Sequence, residues 1–310
     1  MKLHLLFILS LLFLLACDSL RYSEVAIDLE EASPQMVLHA FFVDTDSCLW
    51  VHLDKSTTYF ESDSLVGGFL GDLPGATIEL FKANDLIGTL GFVSQEIRRL
   101  PEVNTVLNYF DTLPFPLKTY GSSFEIRVKH PDFNEIRANQ TFPPIPPVPS
   151  IRLVRNAGVD IFGNATDGLL IEFNDAMNAE NFYQIYCRGI RKDKAYKNTI
   201  LIRTSSDDPI FKVEADAFST NLTMSDESFN GSKFSFSLYF EESTATYDSL
   251  LVGWRSISKE WFQYVDSARE QQRLSGFLGN YAEPFNVISN IEGGLGIFGL
   301  GREQIYPIKL

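Results

Sequence analysis

Two stretches of alternating apolar residues, at 37–43 and 48–54, constrain the fold most strongly, because strict alternation is typical of half-buried strands. Four turn residues at 44–47 separate them, so the pattern predicts a hairpin in which residue 43 lies opposite residue 48. In this register one face is wholly apolar, with Leu38, Ala40, Phe42, Leu49, Val51 and Leu53. The other face carries His39, Phe41, Trp50 and His52. The apolar face must therefore lie in a core.

Strand-like runs with Gly or Pro between them continue along the chain. They occupy residues 76–82, 87–93, 124–130, 135–142, 150–155, 169–173, 182–190, 198–204, 233–241 and 250–254. Residues 259–273 differ, because Ser258 can cap a helix there. One side of that helix carries Trp261, Phe262, Val265 and Ala268. We therefore predict a mostly β protein with one packed helix.

A proline run marks the clearest boundary in the sequence. Five of the eight residues at 142–149 are proline, and such a run is stiff and extended. The sequence therefore predicts two β-sandwich-like domains, at 35–142 and 150–310, joined by a linker at 143–149. The helix belongs to the second domain.

The N-terminal residues predict export and a lipid anchor. Lys2 precedes an apolar run at 5–15, which is too short to span a bilayer. The run ends in Leu14-Leu15-Ala16-Cys17, and a small residue before a Cys at this place resembles a bacterial lipobox. The resemblance implies a signal peptide at 1–16, a lipid on the sulfur of Cys17, and a tether within 17–34. The alternative is an ordinary secretory signal with a chance cysteine.

The run from Tyr281 to Gly299 is the most specific motif of the chain. With the lipobox and the strand entry at 74–80, it resembles a family of Bacteroidota outer-membrane lipoproteins of unknown function. The resemblance implies an outer-membrane location, with the cell surface favoured over the periplasmic face. It also implies a TonB-dependent receptor as partner, since such receptors are often encoded beside family members. The strand entry alone is similar to transthyretin-like modules, so the first domain is expected to be an Ig- or transthyretin-like sandwich.

Part of this motif, from Gly294 to Gly299, matches the dinucleotide-binding pattern G-x-G-x-x-G. That pattern needs a helix after the glycines, whereas only residues 302–310 follow, with Pro307 among them. We therefore interpret the segment as a structural or contact motif that orders the second domain. Its residues are Asn290, Glu292, Gly293, Gly294, Leu295, Gly296, Ile297, Phe298 and Gly299.

His39 and His52 are the best candidates for a metal site, since the predicted register places them opposite each other. A metal site normally needs three or four ligands, and Asp54 alone is a further candidate, so we prefer a pair without metal. No cofactor is expected besides the lipid on Cys17. We expect Cys48 and Cys187 to be buried free thiols, and a disulfide between them is left open.

Patterns of catalysis are missing from the sequence, which contains neither G-x-S-x-G nor H-E-x-x-H. We therefore predict no enzyme and no catalytic residue. The chain has 40 acidic and 26 basic residues, and the net charge of −14 disfavours binding to nucleic acid. Several aromatic residues belong either to the core or to a glycan-binding platform: Trp50, Trp254, Trp261, Tyr59, Tyr109, Tyr120 and Tyr281.

The expected function is that of a lipid-anchored, non-enzymatic accessory subunit of an outer-membrane β-barrel assembly of the TonB-dependent-receptor type. The alternative is a surface lipoprotein that captures glycan or peptide nutrients.

Overall fold

Strands dominate the computed structural model, which describes residues 33–56, 73–96, 107–159, 163–177, 179–191, 199–211, 219–278 and 287–310. Seven strands precede the proline run: β1 (Met36–Val43), β2 (Cys48–Lys55), β3 (Thr77–Lys82), β4 (Asp85–Glu96), β5 (Leu107–Thr112), β6 (Ser123–His130) and β7 (Phe133–Thr141). Nine follow it: β8 (Ser150–Val159), β9 (Ala165–Asn174), β10 (Phe182–Arg191), β11 (Thr199–Ile202), β12 (Thr204–Ser205), β13 (Leu222–Ser225), β14 (Lys233–Phe240), β15 (Tyr247–Ile257) and β16 (Leu295–Lys309). Within these ranges one α-helix, α1 (Lys259–Leu278), lies between β15 and β16. The predicted mostly β class with a single helix is confirmed.

The predicted hairpin is present, in the predicted register. His39 lies opposite His52, and Ala40 lies opposite Val51. The apolar side chains of its inner face are at most 1% exposed: Leu38, Ala40, Phe42, Leu49, Val51 and Leu53. Alternation therefore identified this face correctly, because side chains of a strand point to its two faces in turn.

Most of the strands belong to one sheet. Within the described ranges its order is β11-β10-β15-β16-β1-β2-β5-β4-β3-β6-β7, with β13 also pairing with β10. Side chains of β1 and β2 share a core with those of β6 and β7, which are remote in this order. The sheet therefore folds back over itself and forms the first sandwich.

The second sandwich packs a four-stranded sheet, ordered β12-β14-β9-β8, against β10 and β15. The alternating stretch predicted at 233–241 is β14, and its inward side chains Phe236, Leu238 and Phe240 are at most 3% exposed. Trp254 of β15 is fully buried between the two sheets, with its ring stacked on Tyr183 at 5.1 Å.

The last strand, β16, connects the two sandwiches and was not predicted. Its first part pairs in parallel with β1, and its second part pairs antiparallel with β15. At Gly301 the strand has Val43 on one side and Ile257 on the other. Pro307, which was expected to prevent a helix after the glycines, lies within the strand opposite Leu251. The strand forms because tertiary pairing overrides the local signals of glycine and proline.

Helix α1 begins as predicted and ends five residues later than the predicted residue 273. The Ser258 hydroxyl accepts a hydrogen bond from the Trp261 backbone N–H at 3.4 Å, which is the expected cap. Trp261 and Val265 are buried against Phe41 and Ile297 in a third cluster, on the face of β1 opposite the first core. None of the described helical residues form a segment with the length and hydropathy of a membrane span.

The proline run carries no strand, in agreement with its composition. Ile145 and Val148 are 64% and 74% exposed. The first core lies mainly before this run but includes Ile291, Phe298 and Leu300 from after it, and the two halves also share the large sheet through β16. The domain boundary at 143–149 stays a prediction.

Candidate functional site

The C-terminal motif holds the entry of β16 in place. The Asn290 side chain binds both backbone groups of Phe298: its Nδ2 donates to the carbonyl oxygen at 2.8 Å, and its Oδ1 accepts from the N–H at 2.9 Å. Two residues on, Glu292 exchanges backbone hydrogen bonds with Arg137 of β7. The Glu292 carboxylate also accepts from Arg137 Nε at 2.8 Å. The segment therefore fastens β16 to β7 in the first sandwich.

Gly296 shows why the motif needs glycine. Its φ is +105°, and a Cβ placed there would lie 2.0 Å from the carbonyl oxygen of Leu38. Glycine therefore permits both the backbone conformation and the close approach of β16 to β1. Gly299 is restricted by packing, since a Cβ there would lie 3.0 Å from the Trp261 side chain.

The apolar residues of the motif do not all lie where we expected them. Ile297 and Phe298 are fully buried, but Leu295 is 41% exposed. Phe298 lies in the first core, 5.9 Å from the ring of Phe42, and not in the second domain. The cause is the parallel pairing with β1, which aligns Phe298 with Ala40 and turns it toward the core face of β1.

The geometry of the motif also differs from that of a dinucleotide site. A Rossmann-type site places pyrophosphate at the N-terminus of a helix that follows the glycines. In the described residues 287–310, the glycines lead instead into β16, which continues to Lys309.

His39 and His52 come together as predicted, and a third residue joins them. Their rings stack at 5.7 Å between centroids, with planes 12° apart. His39 Nε2 contacts the Tyr264 hydroxyl of α1 at 2.7 Å, and His52 Nε2 lies 3.6 Å from Asp54 Oδ2. Tyr264 was missed, although its spacing of three residues from Trp261 places it on the same side of the helix.

The arrangement of this pair does not resemble a metal centre. Imidazole lone pairs lie in the ring plane, so stacked and nearly parallel rings do not aim them at one point. Among the described residues, no group of three or more His, Cys, Asp or Glu side chains is placed to hold a metal ion. Burial, followed by the nearby His52, lowers the pKa of His39 from 6.5 to about 4, so this imidazole is neutral at pH 7.

The aromatic residues fall into two groups. Trp254, Trp261 and Tyr109 are buried in the cores, at 1% exposed or less, and Tyr120 packs against the first core. Tyr59 and Tyr281 lie outside the described residues. Trp50 is different, because it is only partly buried on the outer face of the first sandwich.

Trp50 belongs to an outward aromatic patch, which we define as Trp50 of β2, Phe110 of β5 and Gly91 of β4. These three residues lie side by side across the strands. The rings of Trp50 and Phe110 are 4.2 Å apart, and Gly91 is exposed. Sequence reasoning did not single out Phe110 or Gly91, because their pairing with β2 and β4 is not visible in local patterns.

The cysteines differ from the expectation in part. Cys187 is buried as expected, and burial raises the pKa of its thiol to about 12. Cys48 is exposed, because it begins β2 on the outward face. Both are free thiols, so they form no disulfide with each other. Cys17, the predicted lipid site, lies outside the described residues.

A buried ion pair links three strands of the second sandwich. Arg255 Nε of β15 lies 2.6 Å from Glu303 Oε1 of β16, and both side chains are less than 10% exposed. The Tyr186 hydroxyl of β10 donates to the same oxygen at 2.7 Å. The pair satisfies its charges internally and fixes the second part of β16. Sequence patterns give no signal for it, because the partners are 48 residues apart.

In the described residues, the fold and its sites define a β protein of two sandwiches that share a final strand, entered through a glycine-rich motif. The chain belongs to the family described as "Domain of unknown function (DUF4249)", whose model matches residues 22–305. This confirms membership of an uncharacterised family, as the motif implied.

Comparisons with curated proteins and with solved structures give no information on function. No curated protein matches the chain. Among solved structures, the chain is similar to Escherichia coli alpha-2-macroglobulin activated by porcine elastase, with 10% identity and a TM-score of 0.24. The match covers 73% of this chain and 18% of that one, so this chain corresponds to less than a fifth of the macroglobulin. A similarity at this TM-score carries no argument.

Proposed function

We propose that the protein is a lipid-anchored, non-enzymatic accessory subunit of an outer-membrane β-barrel assembly of the TonB-dependent-receptor type. The Leu14-Leu15-Ala16-Cys17 junction supports the anchor on Cys17. The resemblance to Bacteroidota outer-membrane lipoproteins supports the location and the partner. The lipid holds the protein in the plane of the membrane, and the folded body then meets a partner in the same membrane.

The proline run supplies the surface that carries this proposal. Each residue from 142 to 149 is a proline or precedes one, so the backbone is restricted to the extended, polyproline-type region. That conformation has three residues per turn, which places Ile145 and Val148 on the same side. Both are more than 60% exposed and form a short apolar stripe.

The opposite side of the run is fixed to the protein. Pro146 and Pro149 are buried, and the Trp254 indole N–H donates to the carbonyl oxygen of Pro147 at 2.9 Å. The stripe is therefore rigid before it binds, so little conformational entropy is lost on docking. Polyproline segments of this kind dock into grooves lined by aromatic side chains.

The outer edge of β8 is less suited to docking. β8 is the outer strand of the four-stranded sheet, but a bulge interrupts its register between Val154 and Gly158. Arg152 and Arg155 also stand on this strand with largely exposed side chains. Bulges and charges are devices that keep a strand edge from pairing with another chain. The proline stripe is therefore a better surface for a partner than this edge.

The test combines Ile145→Ser with Val148→Ser in a tagged chain. The control is Val159→Ser, which changes another exposed valine, at 58% exposure, at the end of β8. After mild detergent extraction, an outer-membrane barrel protein should co-purify with the wild type and the control and be lost from the double variant. All three chains should melt at the same temperature. Equal recovery of the barrel protein with the double variant would contradict the proposed surface, and the absence of any barrel protein would contradict the function.

A further inference from the structure

We propose that the outward aromatic patch of Trp50, Phe110 and Gly91 is a binding site for a neutral carbohydrate. This inference goes beyond the accessory role and does not depend on it, because the patch and the proline stripe are different surfaces. The ligand class follows from three features of the patch: its aromatic faces, its open space and its hydroxyl groups.

The two rings pack against each other and form one side of the site. Trp50 and Phe110 are in contact at 4.2 Å with planes 36° apart, so each orients the other. At this separation each ring covers one face of the other, and the second face of Phe110 lies on the side of Gly91. The apolar C–H face of a pyranose ring stacks on such a surface.

Gly91 supplies open space beside Phe110. It lies directly opposite Phe110, and a Cβ built on it meets no atom of the described residues within 4 Å. No positive φ requires glycine at this position. The missing side chain therefore leaves a shallow slot beside Phe110, at the end of the row formed with Trp50. Any larger residue at position 91 would cover the Phe110 ring.

Hydroxyl groups lie beside the rings. Thr89 and Thr112 are exposed. Leu90 of β4 and Tyr109 of β5 face the core, so alternation along each strand places Thr89 on the outward face with Gly91, and Thr112 on the outward face with Phe110. Their backbone N–H groups donate to the Asp111 carboxylate at 3.0 and 2.7 Å, which fixes the two strands together. In the described part of the chain, no hydrogen bond occupies either hydroxyl, so both are available to the hydroxyl groups of a sugar.

The lack of charged side chains at the site favours a neutral ligand. The outward residues named for the site carry no charged side chain, although the chain as a whole has a net charge of −14. An anionic ligand would gain no partner there and would meet an acidic protein. A protein partner is the less favoured occupant, because two aromatic rings with a polar hydroxyl rim provide little of the contiguous apolar area that a protein interface buries.

The experiment measures binding of the full chain, in mild detergent, to neutral probes. These are cello-, malto-, xylo-, manno- and laminari-hexaose, each tested by isothermal titration calorimetry. Gly91→Val fills the slot without a steric clash inside the fold. Phe110→Ala removes the ring on which the sugar would stack, and Phe115→Ala is its control, since Phe115 is a 57% exposed phenylalanine elsewhere in the first sandwich.

We expect at least one hexaose to bind the wild type and the control equally. Gly91→Val should weaken that binding about tenfold or more, at an unchanged melting temperature. Thr112→Val should weaken it about threefold to tenfold, through loss of one hydrogen bond. Phe110→Tyr should retain it, because the ring is kept.

Three results would overturn the inference. One is the failure of all five hexaoses to bind the wild type. Another is unchanged binding by Gly91→Val, which would place the sugar elsewhere on the chain. The third is a loss of barrel-protein capture by Gly91→Val with no loss of sugar binding, which would identify the patch as a protein interface. The proposed function is tested separately through Ile145 and Val148, so the two proposals can fail independently.

Discussion

The burial of His39 should make the stability of the folded chain depend on pH. Its pKa is about 4 in the folded chain, against 6.5 for the free side chain, because burial disfavours the charged imidazole. Between these two pH values the unfolded chain binds more protons at this site than the folded chain does. The free energy of unfolding should therefore decrease as the pH falls from about 6.5 to about 4, by at most about 3 kcal/mol from this residue.

Urea unfolding at pH 7.5, 5.5 and 4.5 checks this prediction. His39→Gln keeps a polar group near the Tyr264 hydroxyl and removes the titrating imidazole. The variant should lose less stability than the wild type over this range. Parallel stability curves for the two chains would show that His39 does not contribute to the pH dependence.

Phe298 is the apolar residue of the C-terminal motif whose loss should matter most. Its side chain is fully buried in the first core, so Phe298→Ala should lower the free energy of unfolding by about 3–5 kcal/mol. Leu295→Ala is the matched control and should change it by about 0.5 kcal/mol or less, because Leu295 is 41% exposed. Equal effects of the two substitutions in denaturant titrations would contradict the position of Phe298.

At the scale of the element, β16 depends on Gly296. Gly296→Ala combines a strained φ with a contact to the Leu38 carbonyl oxygen, whereas Gly75→Ala has a similar φ of +93° and open space. Gly75→Ala should therefore cost about 1–3 kcal/mol through strain alone. Gly296→Ala should cost about 1–3 kcal/mol more, through overpacking against β1.

Thermal and urea unfolding of both alanine variants separate the two effects. Hydrogen exchange of the β1 amide groups gives a second measurement, since these groups should lose protection only in Gly296→Ala. If both variants lost the same stability, the close approach of β16 to β1 would not be the reason for the glycine.

The elements that sequence analysis predicted correctly are those with local signals. The hairpin of β1 and β2 follows from alternation and a short turn, and α1 follows from its Ser258 cap and its apolar side. β16 was missed because its glycines and Pro307 are breakers by local rules, and only the distant strands β1 and β15 make it a strand.

The candidate sites also divide into those with a local signal in the sequence and those without one. The pairing of His39 with His52 was predictable because both belong to one hairpin. The outward aromatic patch was not, since Phe110 and Gly91 reach Trp50 only through the order of β2, β5 and β4. The Arg255–Glu303 pair likewise depends on the antiparallel pairing of β15 with β16.

At the scale of the whole molecule, the first sandwich is incomplete without residues from beyond the proline run. Ile291, Phe298 and Leu300 fill its core, and β16 covers the edge of β1. A fragment of residues 34–149 should therefore fail to fold cooperatively. A second fragment with residues 287–301 joined to it through a flexible linker should recover a cooperative transition.

Circular dichroism during thermal unfolding checks both fragments. A sharp transition in the fragment of residues 34–149 alone would show that the first sandwich is an independent domain and that β16 is dispensable to it. If the fragment that also contains residues 287–301 showed no cooperative transition either, contacts with the second sandwich, and not β16 itself, would provide the missing stability.

The pairing of β1 with β16 also has a consequence for the biosynthesis of the chain. Val37 and its partner Leu295 are more than 250 residues apart, and β16 is made after every other strand that the structure describes. At typical translation rates β1 would wait roughly 10–50 s for this partner, with its edge unprotected. A chain whose synthesis stops early would lack the strand that both sandwiches share and would stay open to proteases. The complete native pairing of β1 can therefore form only after β16 has been synthesised.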